Sequence, residues 1–262
     1  MKNLFTLVLA LSLFNCKQEA QKEVVKDTTY KAKELDITTS VYPDDITQVF
    51  NAHGGLDTWN SFKGLAFTMK KPTGDEVTIT NLKNRKSYIE TANFKIGYNG
   101  TDVWLDETDG FKYEGNPQFY YNLMFYFYAM PFILADDGIT YETTEPLAFE
   151  GKDYPGIKIS YNAGVGESPD DEYILYYDAE THKMVWLAYT VTYFTKEKSK
   201  DWHFIRYTDW QMVDDLALPK ILTWFNSEGF KIAEKRNDLE FTSIKLSKTA
   251  PENSFFEKPK SN

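Results

Sequence analysis

The chain has 262 residues, a formal charge of −10 at pH 7, and 16% aromatic residues, with 18 Tyr, 19 Phe and 6 Trp. A surface this acidic repels phosphate backbones, and no Lys/Arg cluster with interleaved aromatics offsets it, which excludes nucleic acid as a partner. The single cysteine, Cys16, permits no disulfide within the chain, so the fold must be held by its core.

Met1, Lys2 and Asn3 precede an apolar run from Leu4 to Phe14. Residues 1–15 therefore read as a signal peptide, with a short basic start and an apolar centre. The run is too short to cross roughly 30 Å of hydrocarbon, and Lys17-Gln18-Glu19 follows at once. Leu13-Phe14-Asn15-Cys16 resembles a bacterial lipobox, although Asn15 stands where a small residue is usual. The resemblance implies that Cys16 is acylated, as by palmitate, and becomes the new N-terminus. Without Lys2 the charge is near −11, so anionic lipid repels the rest of the chain and a covalent anchor is the expected route to a membrane. Residues 16–42 are rich in Lys, Glu, Gln, Thr and Asp; they cannot offset their own ordering entropy and are expected to form a flexible tether.

Residues 43–262 are read as one domain, mainly β with a minor helical part. Asp44-Asp45 open a short helix with Ile46, Val49 and Phe50 on one face, stopped by Gly54-Gly55, and a second helical turn is expected around Leu56 to Phe62. Alternation at Phe67-Met69, Val77-Ile79, Val103-Leu105, Ile157-Ile159, Phe204 to Val213 and Ile221 to Phe225 predicts half-buried strands. Asn116 can cap and Pro117 can begin a helix through Phe119–Tyr128 that ends before Pro131. Being apolar all round, that helix must be buried on every side or sit in lipid. The economical arrangement lays it in the mouth of a curved sheet, one side on the sheet and the other facing a cavity; a core helix without a cavity is the alternative. Glu172 to Asp178 and Met184 to Thr195 predict a hairpin about the loop 178–183, and Trp202 to Val213 a long strand. Strands of about 11 residues span roughly 35 Å, which suits a strongly curved antiparallel sheet wrapped around something.

Ala52-His53-Gly54-Gly55-Leu56, the aromatic helix, the strand Ala188-Tyr189-Thr190-Val191-Thr192-Tyr193 and Leu218-Pro219-Lys220-Ile221-Leu222 together resemble a family of uncharacterised bacterial lipoproteins. Those in turn are similar to the outer-membrane lipoprotein carrier and receptor superfamily, the LolA/LolB-like proteins. The resemblance covers roughly Asp44 to Pro259. It implies an unclosed antiparallel barrel whose helices form a lid over an apolar cavity for acyl chains. Soluble carriers of that superfamily lack a lipid anchor, so an acylated Cys16 would make this protein stationary, closer to a receptor or interaction module.

Catalytic and metal motifs are sparse. His53, His182 and His203 fall on different elements without metal-ligand spacing. His53 is expected to interact with the helix dipole at the end of its helix, and His182 to be solvated in its loop. Gly164 to Glu172 and Asp136-Asp137-Gly138 read as acidic turns rather than calcium sites. No cofactor or metal is implied. Three functions stay open. The first is a non-catalytic envelope lipoprotein, at the outer membrane, that binds a lipid or acylated ligand. Its candidate lining residues are Phe119, Leu123, Phe125, Tyr126, Trp186, Trp210 and Trp224. The second is an anchored module for an envelope protein partner, without a small ligand. The third is a carboxylate-based envelope hydrolase, since carboxylate separation is a property of the fold.

Overall fold

The computed structural model describes residues 41–161, 171–195 and 197–259. The signal segment, Cys16, the expected tether up to residue 40 and most of the acidic turn 164–172 lie outside the described residues. Two helices, α1 (Asp44–Ala52) and α2 (Leu56–Ser61), precede five strands: β1 (Gly64–Lys71), β2 (Gly74–Asn81), β3 (Ser87–Glu90), β4 (Phe94–Tyr98) and β5 (Val103–Glu107). An aromatic connection follows, made of α3 (Pro117–Tyr120), α4 (Leu123–Tyr128) and a 3-10 turn, Phe132–Ala135. The chain then runs through β6 (Ile139–Phe149), β7 (Lys152–Tyr161), β8 (Tyr173–Tyr177), β9 (Met184–Tyr189), β10 (His203–Val213), β11 (Leu216–Glu228) and β12 (Lys231–Ser247). A short 3-10 turn, Asn253–Phe256, follows β12.

All twelve strands form one antiparallel sheet in the order β5-β4-β3-β2-β1-β12-β11-β10-β9-β8-β7-β6. Every neighbour is consecutive except β1 and β12, which join the two halves. The sheet is unclosed, with β5 and β6 at its edges, and the aromatic connection is the segment that leads from one edge strand to the other. Register shifts in the β1–β12, β10–β11, β11–β12 and β6–β7 pairs supply the bulges that bend a long sheet. At Gly97 the absent side chain admits the Trp104 indole, which would lie 2.1 Å from an added Cβ. That indole donates to the Phe256 carbonyl at 2.8 Å and so ties the final turn onto the β4–β5 corner.

Side-chain alternation divides the sheet into two surfaces. One carries Phe67, Met69, Ile157, Ile159, Leu187, Ile205, Tyr207, Leu222 and Phe241 in the main core, together with α1, α4 and the 3-10 turn. The other carries Tyr154, Tyr176, Trp186 and Phe204, a separate cluster closed over by Phe149 and Phe225. Trp186 and Leu187 are chain neighbours and so point to opposite sides.

Two expectations need correction. The aromatic run is not one helix: it breaks at Tyr121–Asn122. Asn116 does cap α3, accepting from the Phe119 N–H at 3.3 Å. The break turns Tyr121 into a minor cluster with Ile89 and Ile96, while Met124, Phe125, Phe127 and Tyr128 enter the main core. A straight helix could not serve both. The strand expected to run to Thr195 ends at Tyr189, because Thr190 and Thr192 turn their groups to other work: Asp171 accepts from the Thr192 N–H at 2.6 Å and its hydroxyl at 2.7 Å.

His53 also departs from expectation. It is fully buried, with Nδ1 2.7 Å from the Val49 carbonyl and the Met184 N–H 3.4 Å from Nε2. Its ring meets Trp210 edge-on at 4.4 Å. Burial, the largest cause, holds its pKa down to about 4, so at neutral pH it is an uncharged packing residue, not a cation on the helix dipole. The glycine after it has φ +106, and a Cβ there would lie 2.3 Å from the Asp215 carbonyl. Together with the Ala217 N–H bond to the His53 carbonyl at 2.9 Å, this docks the end of α1 onto the β10–β11 turn.

Because His53 binds its proton more weakly folded than unfolded, the unfolded state takes up the proton first as pH falls. Stability should therefore decline from about pH 6.5 to pH 4, by about 3 kcal/mol. His203, also lowered by burial, adds in the same direction, so the readout is a difference. Urea midpoints at pH 7.5 and pH 4.5 should converge in His53→Gln relative to the parent; an unchanged gap would contradict the assignment.

Candidate functional site

A cleft of about 770 Å³ lies between the broken aromatic helices and the two ends of the sheet. Its helical side is Gln118, Phe119, Tyr121, Asn122, Leu123 and Tyr126, with Ile133 of the 3-10 turn. Asn84 and Arg85 of the β2–β3 turn and Tyr98 of β4 border one end. Tyr161, Asp171, Tyr173 and Tyr193 border the other, with Asp136 and Asp137 following the aromatic connection. A smaller recess of about 310 Å³, lined by Trp59, Asn60, Leu82 and Lys83, shares Arg85, Asp136 and Asp137 with the main cleft.

The helix break creates this cleft. With Met124, Phe125, Phe127 and Tyr128 directed into the core, Leu123 and Tyr126 are left on the opposite side of α4, and Tyr126 is exposed. Position of the connection is fixed by phenols that donate to its carbonyls. Tyr207 donates to Phe127 O at 2.7 Å, Tyr42 to Ala135 O at 3.1 Å, and Tyr141 to Leu134 O; the Ser87 hydroxyl donates to Tyr121 O at 3.1 Å. Burial raises Tyr207 and Tyr141 well above the ordinary phenol range, which keeps them donors.

A second anchor holds α3. The Tyr120 hydroxyl donates to Glu76 Oε1 at 2.6 Å, Lys71 Nζ lies 2.8 Å from Glu76 Oε2, and the same ammonium reaches the Tyr120 hydroxyl. Glu76 is only 2% exposed, so these partners replace the water its carboxylate has lost. Burial and the Glu76 charge raise Tyr120 far beyond the phenol range, which makes it a neutral donor and unsuited to act as a base.

At the charged end Arg85 sits at φ +61, an uncommon conformation for a side-chain-bearing residue. It donates to both Asp136 oxygens, at 2.6 and 2.5 Å, and its guanidinium lies 5.2 Å from the centre of the Phe125 ring. Asp136 is thus committed to Arg85 and Asp171 to Thr192. At the other end Phe119 packs at 5.0 Å on Tyr193 and 4.9 Å on Phe194, and Phe194 is 65% exposed.

Of the residues expected to line a cavity, Phe119, Leu123 and Tyr126 line this one. Phe125 is core beneath Arg85, and Trp224 is core against Phe127. Trp210 packs on His53 and Tyr207, and Trp186 lies in the cluster across the sheet. The cleft's arginine, amides and four strand- or loop-borne tyrosines were not singled out in the sequence. A charged turn, Asn81 to Lys86, and tyrosines at strand ends were the only signals. Among the described residues, no group of three or more His, Cys, Asp or Glu could hold a metal ion, and no helix is long and apolar enough to cross a membrane.

Residues 2–235 match the family of unknown function DUF6503. The chain belongs to this family. No curated protein matches it. Among solved structures it is similar to a DUF1329 family protein from Desulfovibrio piger, with 8% identity and a TM-score of 0.46 over 82% of this chain and 98% of that one. It is also similar to a LolA superfamily protein from Nitrosomonas europaea, with 9% identity and a TM-score of 0.44 over 78% of this chain and 96% of that one.

The Tyr120 anchor can be weighed directly. Tyr120→Phe leaves one buried Glu76 oxygen without its phenol and should cost about 1–2 kcal/mol. A urea midpoint within error of the parent would show that the contact is not stabilising.

Proposed function

We propose that this protein is a non-catalytic envelope lipoprotein that binds a lipid or other lipophilic molecule in the cleft beside the broken aromatic helix. The observation that carries the reading is the cleft itself, whose volume of about 770 Å³ is in the range of small-molecule sites. Phe119, Leu123, Tyr126 and Ile133 give it an apolar helical side. Each methylene buried there contributes about 0.8 kcal/mol, so eight of them offer roughly 6 kcal/mol toward offsetting the cost of association. Attachment through Cys16 would hold the domain at a membrane, within reach of such molecules.

The cleft is tested by native mass spectrometry of the protein purified from a bacterial host, combined with lipid extraction. The parent should carry a reproducible lipid adduct, or acquire one on incubation with phospholipid or acylated peptide. Leu123→Asp, which puts a charge on the apolar side, should reduce occupancy at least tenfold while the circular dichroism spectrum is kept. A parent that stays bare under all these conditions removes the reading. Anchoring is tested separately: labelled palmitate should be incorporated into the full chain expressed with its first 15 residues, and Cys16→Ser should abolish it. Equal labelling of the two would overturn the anchor.

A further inference from the structure

The cleft also carries information about the head of its ligand. Its charged lining side chains, among the described residues, are one cation, Arg85, and three carboxylates, Asp136, Asp137 and Asp171. The cation is already occupied: both Asp136 oxygens accept from it, and its guanidinium lies over Phe125. An anionic head would have to displace one carboxylate and then lie beside two more, exposed Asp137 and buried Asp171, both of which repel it. The expected recognition site for a fatty-acid carboxylate or a phosphate, an uncommitted arginine, is not what this cleft presents.

Neutral hydrogen-bonding groups supply the rest. The Tyr161 and Tyr173 hydroxyls are raised above the ordinary phenol range, first by burial and then by nearby acidic groups that include Asp171, so both remain protonated at neutral pH; the Tyr173 hydroxyl reaches Asp171 Oδ2 at 3.5 Å. Asn122 is 7% exposed and lines the cleft, and its Oδ1 has no hydrogen-bond partner among the described residues. A buried acceptor left in that condition costs free energy until a donor reaches it. Among the described residues the cleft thus offers donors and acceptors side by side with no net positive charge. A carboxylate can only accept and an ammonium can only donate; a hydroxyl does both.

We infer that the cleft selects amphiphiles whose head is an uncharged polyhydroxyl group, a sugar or glycerol, over those with an anionic head. This rests on the proposal that the cleft takes a lipophilic molecule, and adds the class of head to it. Hydroxyls of such a head would donate to Asp137 and, on a turn of its buried amide, to Asn122 Oδ1, while accepting from Tyr161, and its chain would lie along Leu123 and Tyr126.

The test uses the purified full chain carrying Cys16→Ser, with N-phenyl-1-naphthylamine as a neutral fluorescent reporter displaced by compounds of equal chain length below their micelle concentrations. Dodecyl glucoside and monododecanoylglycerol should displace the reporter at concentrations at least tenfold lower than dodecanoate. Dodecanol, which has the chain and a single hydroxyl, should be weaker than the glucoside. Asn122→Leu should weaken the glucoside about fivefold or more and dodecanol by less. Asp137→Asn, at an exposed position, should narrow the gap between glucoside and dodecanoate several-fold even if the Asn122 variant does not fold. Dodecanoate equal to or stronger than the glucoside would overturn the inference while leaving a lipophile-binding cleft in place. Failure of every chain compound, and of the reporter, to bind would remove both.

Discussion

Phenol hydroxyls donating to helix-terminal carbonyls are the interaction on which this architecture depends. The aromatic connection is apolar on all sides and is divided into pieces too short to satisfy their own carbonyls, which helices leave unpaired at their ends. Burying it would ordinarily strand those groups away from water. Tyr207, Tyr141 and Tyr42 approach from β10, from β6 and from the segment before α1, and each ends on a carbonyl of the connection. Tyrosine suits the task because its ring joins the core while its hydroxyl supplies the missing donor. The abundance of tyrosine in the composition is thus partly a consequence of breaking the helix.

That break links packing to the proposed function. A continuous helix would have presented Tyr121 and Phe125 on one face, whereas the kink sends Tyr121 toward β3 and β4 and Phe125 beneath Arg85. Between the two directions lies the cleft. The remaining anchors act on the same segment. The Glu76–Tyr120–Lys71 cluster holds α3 at one side, and the stack of Trp59 on Phe132, at 4.8 Å and 8° between planes, holds the 3-10 turn at the other. Rigid support on both sides of an open space favours a preformed site over one assembled around its ligand.

Much of the fold was legible because period-two alternation and helix punctuation are local signals. Phe67-Met69, Val77-Ile79, Ile157-Ile159 and Ile221 to Phe225 all lie in strands, α1 and α2 fall where expected, and the loop 178–183 joins β8 to β9 with Asp178 accepting from the Glu180 and Thr181 amides. What was not legible depended on partners distant in the chain. Nothing near Tyr121 announces that Ser87 will draw its carbonyl, and nothing near Thr192 announces Asp171. Trp186 shows the same limit from another side. Its alternation identifies a strand, but which of the sheet's two surfaces faces the helices is decided by the whole topology, and an aromatic residue is as welcome in the cluster with Phe149 and Phe225 as in a cavity wall. Arg85 owes its place to a left-handed turn that no composition rule selects.

The pairing of β1 with β12 bears on how the molecule can be made. Gly64 finds its register opposite Ser247, so the seam between the two halves of the sheet waits for β12, the last of the twelve strands, to be available. A chain emerging from its amino end first would carry β1 to β5 as a half-sheet with an open inner margin, and the aromatic connection would have no completed surface to lie on. Contacts this distant in sequence are slow to form and leave apolar surface uncovered meanwhile. The sheet can therefore close only once the entire chain is present, and the aromatic connection gains its full seat only at that point.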